Sequence, residues 1–207
     1  VMEKSQAIAT PGSIVEYEIT VYNEGQVDGF AEEITDYLPD GLSLASNSSI
    51  NTQYGWKTDS SNSKIIRTSY LSSSNTDNKL SAFSEANGLD SRTVKVECVV
   101  SETAESGDII DNRAEISKYS YWGDSNADGV NEAIAISDDD DSTSNSVLAD
   151  SNSSSVSALI SKIEDDITNN TQFNEKRDDK NVISYEDDDD IERITVNKKI
   201  VDLDLAL

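Results

Sequence analysis

Asp124, Asn126, Asp128 and Gly129, in the run WGDSNADGVNEAIAISDDDDS from Trp122 to Ser142, have the residue types and spacing of an oxygen-rich cation loop. Against the calcium template D-x-[DN]-x-[DN]-G they fill positions one, three, five and six, with the Val130 carbonyl at seven and Glu132 at nine. Position twelve, where a bidentate Glu is expected, holds Ala135. The flanks KYSYW and EAIAI read as extended chain, so the pattern predicts the ligand turn of an EF-hand in a β setting. For the missing carboxylate the sequence offers the block Asp138 to Asp141, with Asp138 and Asp140 taken as ligands, and a second acidic block, Glu186 to Asp190.

Calcium accepts six to eight oxygens in a flexible shell, whereas magnesium demands a stricter octahedron and keeps its waters, so Ca2+ is the expected ion. A site with Kd on the order of 10⁻⁴ to 10⁻³ M is filled outside a cell. Crowded carboxylates raise one another's proton affinity and push a loop open; a divalent cation removes that repulsion and stiffens the chain. The competing reading is an ordinary Asx turn, which Asp and Asn form without any ion. An aspartate run by itself is usually a solvated face.

Composition narrows the alternatives. The 207 residues carry 41 acidic and 16 basic side chains, a formal net charge of -25, which disfavours nucleic acid and anionic membrane surfaces as partners. There is no histidine and one cysteine, Cys98. Ser-His-Asp and Cys-His catalysis, imidazole or multi-thiolate zinc sites and an internal disulfide are thereby excluded. No stretch approaches the roughly 20 apolar residues of a membrane span. Carboxylate pairs for glycoside hydrolysis are too numerous for any pair to stand apart. Trp56 and Trp122 each adjoin a glycine and read as packing residues rather than sugar platforms. With no nucleophile, base and orienting group that can be named together, the sequence does not read as an enzyme.

One covalent possibility remains. An amine, a carboxamide and an acid held in an apolar core can join as an internal Lys-Asn isopeptide. Lys4 or Lys64, Asn112 or Asn23, and Asp36 or Glu33 are the residues to try, and spacing favours no particular trio. Asn112 otherwise reads as a strand-end hydrogen bonder.

Strands must position these groups. SIVEYEITVY (Ser13 to Tyr22) puts Val15, Tyr17, Ile19 and Val21 on one face and Glu16, Glu18 and Thr20 on the other, the alternation of a half-buried strand. Phe30 to Leu38 reads as a second strand closed by the turn Pro39-Asp40-Gly41. Leu42 to Leu44, Ile65 to Tyr70, Thr93 to Val100 and Asn112 to Tyr121 follow at strand-like spacings, with Cys98 on the apolar face of Val94, Val96 and Val100. Nothing before about residue 150 sustains a helical period. The expected fold class is all-β: an immunoglobulin-like β-sandwich with an acidic loop insertion carrying one short helix. Residues 1–200 form one module, with core strands in about 11–121 and 191–200. The Ser/Asn/Asp-rich insertion spans about 138–190, and its amphipathic helix runs from about Ser154 to Thr168. The chain begins without a start signal and closes on VDLDLAL, so 201–207 is expected to open a following module.

The phrases TPGSIVEYEITVYNEGQVDGFAEEITDYLPDGL, YGWK, RTSYLS, GDIIDNRAEIS, DDDDS, YEDDDDIERI and DLDLAL resemble, in order, a repeat module of large Gram-positive cell-surface proteins, the immunoglobulin-like conserved repeats of the DUF11 type. The resemblance covers roughly 10–142 and 185–207 and departs between about Asn145 and Asn181. It implies a stalk or adhesin repeat on the cell surface or cell wall, not an enzyme. Together with the acidic loop, this predicts a structural or adhesive spacer rigidified by calcium, whose partners are the neighbouring modules of its own chain. The alternative is a module binding carbohydrate or protein, such as a host or cell-wall ligand, which an exposed aromatic or apolar patch outside the core would mark.

Overall fold

Period-two alternation builds the strands, and the apolar face of each strand decides which way it packs. The computed structural model describes residues 7–23, 25–136 and 189–198. In β2 (Ile14–Asn23), Tyr17 and Val21 are buried and Val15 and Ile19 pack against the same core, while Glu16 and Glu18 stay exposed. In β7 (Asp90–Val100), Val94, Val96, Cys98 and Val100 are all fully buried. Thr20 and Thr93 pair across these two strands through their hydroxyls at 3.0 Å. With β4 (Leu42–Leu44) they form a three-stranded sheet in the order β2-β7-β4.

The facing sheet runs in the order β1 (Ala7–Ala9), β10 (Asp189–Val196), β8 (Ile109–Gly123), β3 (Gly29–Tyr37), β6 (Ile65–Thr68) and β5 (Lys57–Thr58). A short β9 (Glu132–Ala135) pairs with Ser120 to Gly123 of β8, on the edge that β10 occupies farther along. This is the all-β, immunoglobulin-like sandwich that the alternation predicts. The sheets close over Ile34, Ile66, Val94, Val96, Val100 and Val196. Each such side chain contributes about 1.5–3 kcal/mol by leaving water.

The turn Pro39-Asp40-Gly41 forms as expected: the Leu42 N–H donates to the Pro39 carbonyl at 3.2 Å and Gly41 takes φ +96°. A side chain at Gly41 would meet Ile110 Cδ1 at 3.0 Å, so both conformation and space ask for glycine. The single-turn helix α1 (Ser49–Gln53) carries no periodic signal. Ser48 caps it by accepting from the Asn51 N–H. Asn51 then locks it to β7, donating to the Glu97 carbonyl at 2.8 Å and accepting from the Glu97 N–H at 2.8 Å. The acidic insertion with its expected helix, and residues 201–207, lie outside the described residues.

β1 pairs parallel with β10, Ala7 opposite Ile194 and Ala9 opposite Val196. β10 is fastened in turn to β8 by Arg193, which donates to both carboxylate oxygens of Asp111 at 2.7 and 2.9 Å.

Candidate functional site

The predicted cation loop is the turn of the β8–β9 hairpin, held by strand pairing of Gly123 with Glu132. Asp124 folds back over it, accepting from the Asp128 N–H at 3.1 Å and from the Gly129 N–H at 2.7 Å. Asn126 Oδ1 accepts from the Asp128 N–H at 3.0 Å, and Asp128 Oδ1 from the Val130 N–H at 2.8 Å. Gly129 takes φ +87° and Ala127 φ 59°, the left-handed conformations that wrap the backbone around the Asp124 carboxylate. The Gly129 N–H, seconded by those of neighbouring residues, holds the Asp124 carboxyl below its ordinary range. Asp124, Asn126 and Asp128 are thus gathered on one exposed turn as charged or dipolar oxygens.

The remaining predicted ligands fall differently. Glu132 accepts from the Ser125 hydroxyl, and Val130 is exposed. Asp138 and Asp140 lie outside the described residues. Among the described residues no three acidic, histidine or cysteine side chains stand close enough to hold a metal ion. The second acidic block does not supply the lack through Asp189 and Asp190. Both belong to β10, with Asp189 opposite Glu115, so strand geometry separates them from Gly123 by roughly 26 Å along β8.

A second polar constellation lies in the core. Ile34, Asp36 and Leu38 share one face of the β3 segment, and Ile110 and Asn112 share one face of β8, so strand parity turns an acid and a carboxamide inward. Asp36 is 0% and Asn112 4% exposed, and Asn112 Nδ2 donates to Asp36 Oδ2 at 2.8 Å. Burial pushes the Asp36 carboxyl up to about 7, against the lowering effect of that bond. Among the described residues, Asp36 Oδ1, Asn112 Oδ1 and the Tyr17 hydroxyl have no hydrogen-bond partner. Burial, then the Cys98 and Asp36 charges, push the Tyr17 hydroxyl well above its ordinary value. Burial does the same to the Cys98 thiol, which sits among the core valines as an apolar residue.

Among the described residues considered for an isopeptide, the fold brings together only this pair. Lys64 caps the Pro39 turn, donating to the Pro39 carbonyl at 2.9 Å. Asn23 donates to the carbonyls of Val27 and Leu80 at 2.9 and 3.1 Å. Glu33 meets Lys118 at 2.9 Å and the Ser117 hydroxyl at 3.1 Å, on the opposite face of the sheet from Asp36. Lys4 lies outside the described residues. Asn112 itself is an interior strand residue, not a strand-end one, because β8 begins at Ile109. Trp56 is buried with its indole N–H donating to the Lys95 carbonyl at 2.8 Å, and Trp122 meets Phe30 edge to face at 5.7 Å.

No protein-family model matches the chain, and no curated protein is similar to it. Solved structures give partial likenesses. The pilus backbone RrgB of Streptococcus pneumoniae is 12% identical over 59% of this chain and 27% of its own, with a TM-score of 0.33. The seventh ScaB type I cohesin of Pseudobacteroides cellulosolvens is 15% identical over 62% of this chain and 80% of its own, with a TM-score of 0.34. The major pilin subunit BcpA of Bacillus cereus is 13% identical over 63% of this chain and 36% of its own, with a TM-score of 0.32.

Proposed function

We propose that this chain is a structural or adhesive spacer module of a bacterial cell-surface protein, stiffened by calcium in the Asp124 loop. The observation that carries the reading is the parallel pairing of β1 with β10. First and last described strands run side by side in one direction, so tension applied through the two ends pulls them oppositely and loads their hydrogen bonds together, in shear. The Asn197 N–H to Ala9 carbonyl bond, at 2.8 Å, extends that seam. Ile8 and Ile109 flank Thr195 in one row at the same edge, both exposed, where a neighbouring module of the same chain would cover them.

Calcium enters through the hairpin loop. Asp124, Asn126, Asp128 and the Val130 carbonyl would hold it, joined by Glu132 and by Asp138 and Asp140 from the following block. An ion there would tie the loop between β8 and β9 to the acidic segment beyond. The outside of a cell supplies calcium at concentrations that fill such a site.

Calorimetric melting tests this. Tm should rise with millimolar calcium and fall on EGTA, as binding to the folded state requires, and Asp128→Ala should melt like the chelated protein. A Tm indifferent to calcium, or an Asp128→Ala variant that keeps the whole shift, removes the loop from the account.

A further inference from the structure

The strands that end the two sheets differ sharply in length. Among the described residues, β1 and β5 end the larger sheet with three and two residues, and β4 ends one side of the smaller with three. β2 ends its other side with ten, paired in unbroken register from Ile14 opposite Val99 to Asn23 opposite Asp90. Short edges discourage further pairing, as do proline, bulges and charges turned inward. β2 has none of these, for its acids Glu16 and Glu18 stand exposed on the solvent face.

The Val100 N–H donates to the Ser13 carbonyl at 2.9 Å, so by alternation Val15, Tyr17, Ile19 and Val21 turn their main-chain groups toward β7. Those of Glu18 and Thr20 point the other way, out of the sheet. Ile19 lies on the core face between the buried Tyr17 and Val21, yet it is only half-buried. A strand laid alongside would cover the rest of it.

We infer that the β2 edge is a homotypic interaction surface, on which a second copy of this chain adds its own β2 antiparallel and joins the two small sheets into one of six strands. Parity and charge select the register. A slip of one residue would set apolar faces against polar ones, so only slips that keep parity are open. Centring the pair on Tyr17 or Glu18 puts acids directly opposite each other, which is unfavourable. Centring it on Thr20 sets Tyr17 opposite Asn23 and shortens the overlap. Centring it on Ile19 sets Glu18 opposite Thr20 of the second copy, Tyr17 opposite Val21, and Ile19 against its own counterpart. The core face then continues across the seam as aromatic and β-branched pairs, which sheets favour. Lys95 reaches from β7 to Glu16 at 2.8 Å and Glu18 at 3.1 Å, so the acids of this edge enter the pair partly neutralised. The contact is one strand edge, narrower than the roughly 800 Å² per partner of a standard interface, so the dimer is weak and forms where copies are crowded.

Sedimentation equilibrium of the full chain in EGTA, at physiological salt and up to about 1 mM protein, is the test, and chelation keeps it separate from the calcium reading. The chain should form a dimer and nothing larger, because the pairing consumes both edges. Glu18→Pro removes an N–H that points away from β7, so it should abolish the dimer while the fold keeps its strand pairs. Thr20→Lys, which leaves the backbone alone, places a cation opposite Glu18 at both symmetric positions. It should tighten the dimer about tenfold, beyond any effect of Ser60→Lys, which makes the same charge change at an exposed loop residue. The Glu18 and Thr20 amides should exchange fast in dilute solution and slowly at high concentration. A chain that stays monomeric at the highest concentration, a dimer that survives Glu18→Pro, or a Thr20→Lys variant no tighter than Ser60→Lys overturns the inference. So does protection of both amides in the dilute monomer, which would mean that the chain covers this edge itself.

Discussion

Asn112 Nδ2 donates to Asp36 Oδ2 at 2.8 Å between adjacent strands, with both side chains sealed from solvent by the two sheets. The core thus contains a titratable group whose protonation follows folding.

The pH dependence follows from the direction of that shift. The folded Asp36 carboxyl titrates at about 7 against 3.8 for the ordinary group, so the folded state holds its proton more tightly. Below about pH 4 both states are protonated and Asp36 has no effect. As pH rises from about 4 to 7 the unfolded chain loses the proton first, and stability falls by a few kcal/mol before levelling. Asp36→Asn should abolish this slope. Its side-chain amide can satisfy Asn112 Oδ1 at any pH, so its advantage in urea midpoint should grow between pH 4 and 7. Parallel pH profiles for the two proteins would contradict the assignment.

Asn51 replaces a strand for β7, pairing with both main-chain groups of Glu97. Asn51→Ala takes the acceptor from the Glu97 N–H, while the Glu97 carbonyl keeps its bond from the Ala45 N–H, and should cost about 1–3 kcal/mol in chemical unfolding. A loss below half a kcal/mol would mean that α1 is not held by this side chain.

Arg193 holds β10 against β8 through two parallel bonds to Asp111, largely out of solvent. Arg193→Met should cost about 2 kcal/mol, since one charged partner is left behind. Amide hydrogen exchange should report the loss as faster exchange in β10 and β1, with β2 and β7 unchanged. Uniform acceleration across both sheets would argue against a local seam.

Much of this architecture was legible in the order of residue types. Alternation around Tyr17 and Val96 marks β2 and β7 because each strand is apolar on one face only. α1 escaped notice because five residues hold no period, and its lock, Asn51, is a lone polar residue whose partner is 46 positions away. β1, β5 and β9, at two to four residues each, are set by pairing with longer neighbours rather than by local pattern. The loop oxygens of Asp124, Asn126 and Asp128 were readable from spacing, since the turn is local. The Asp36–Asn112 contact joins residues 76 apart. Parity gave its signal, an acid on the face of Ile34 and Leu38, but only pairing of β3 with β8 reveals what that acid meets.

Stretching the module through its two ends, one molecule at a time in calcium and then in EGTA, is the most direct trial of a calcium-stiffened spacer. Strands loaded in shear should give one cooperative rupture at high force, with a lower rupture force after chelation or in Asp128→Ala. Opening at low force in gradual steps, or a rupture force that calcium does not change, would contradict it.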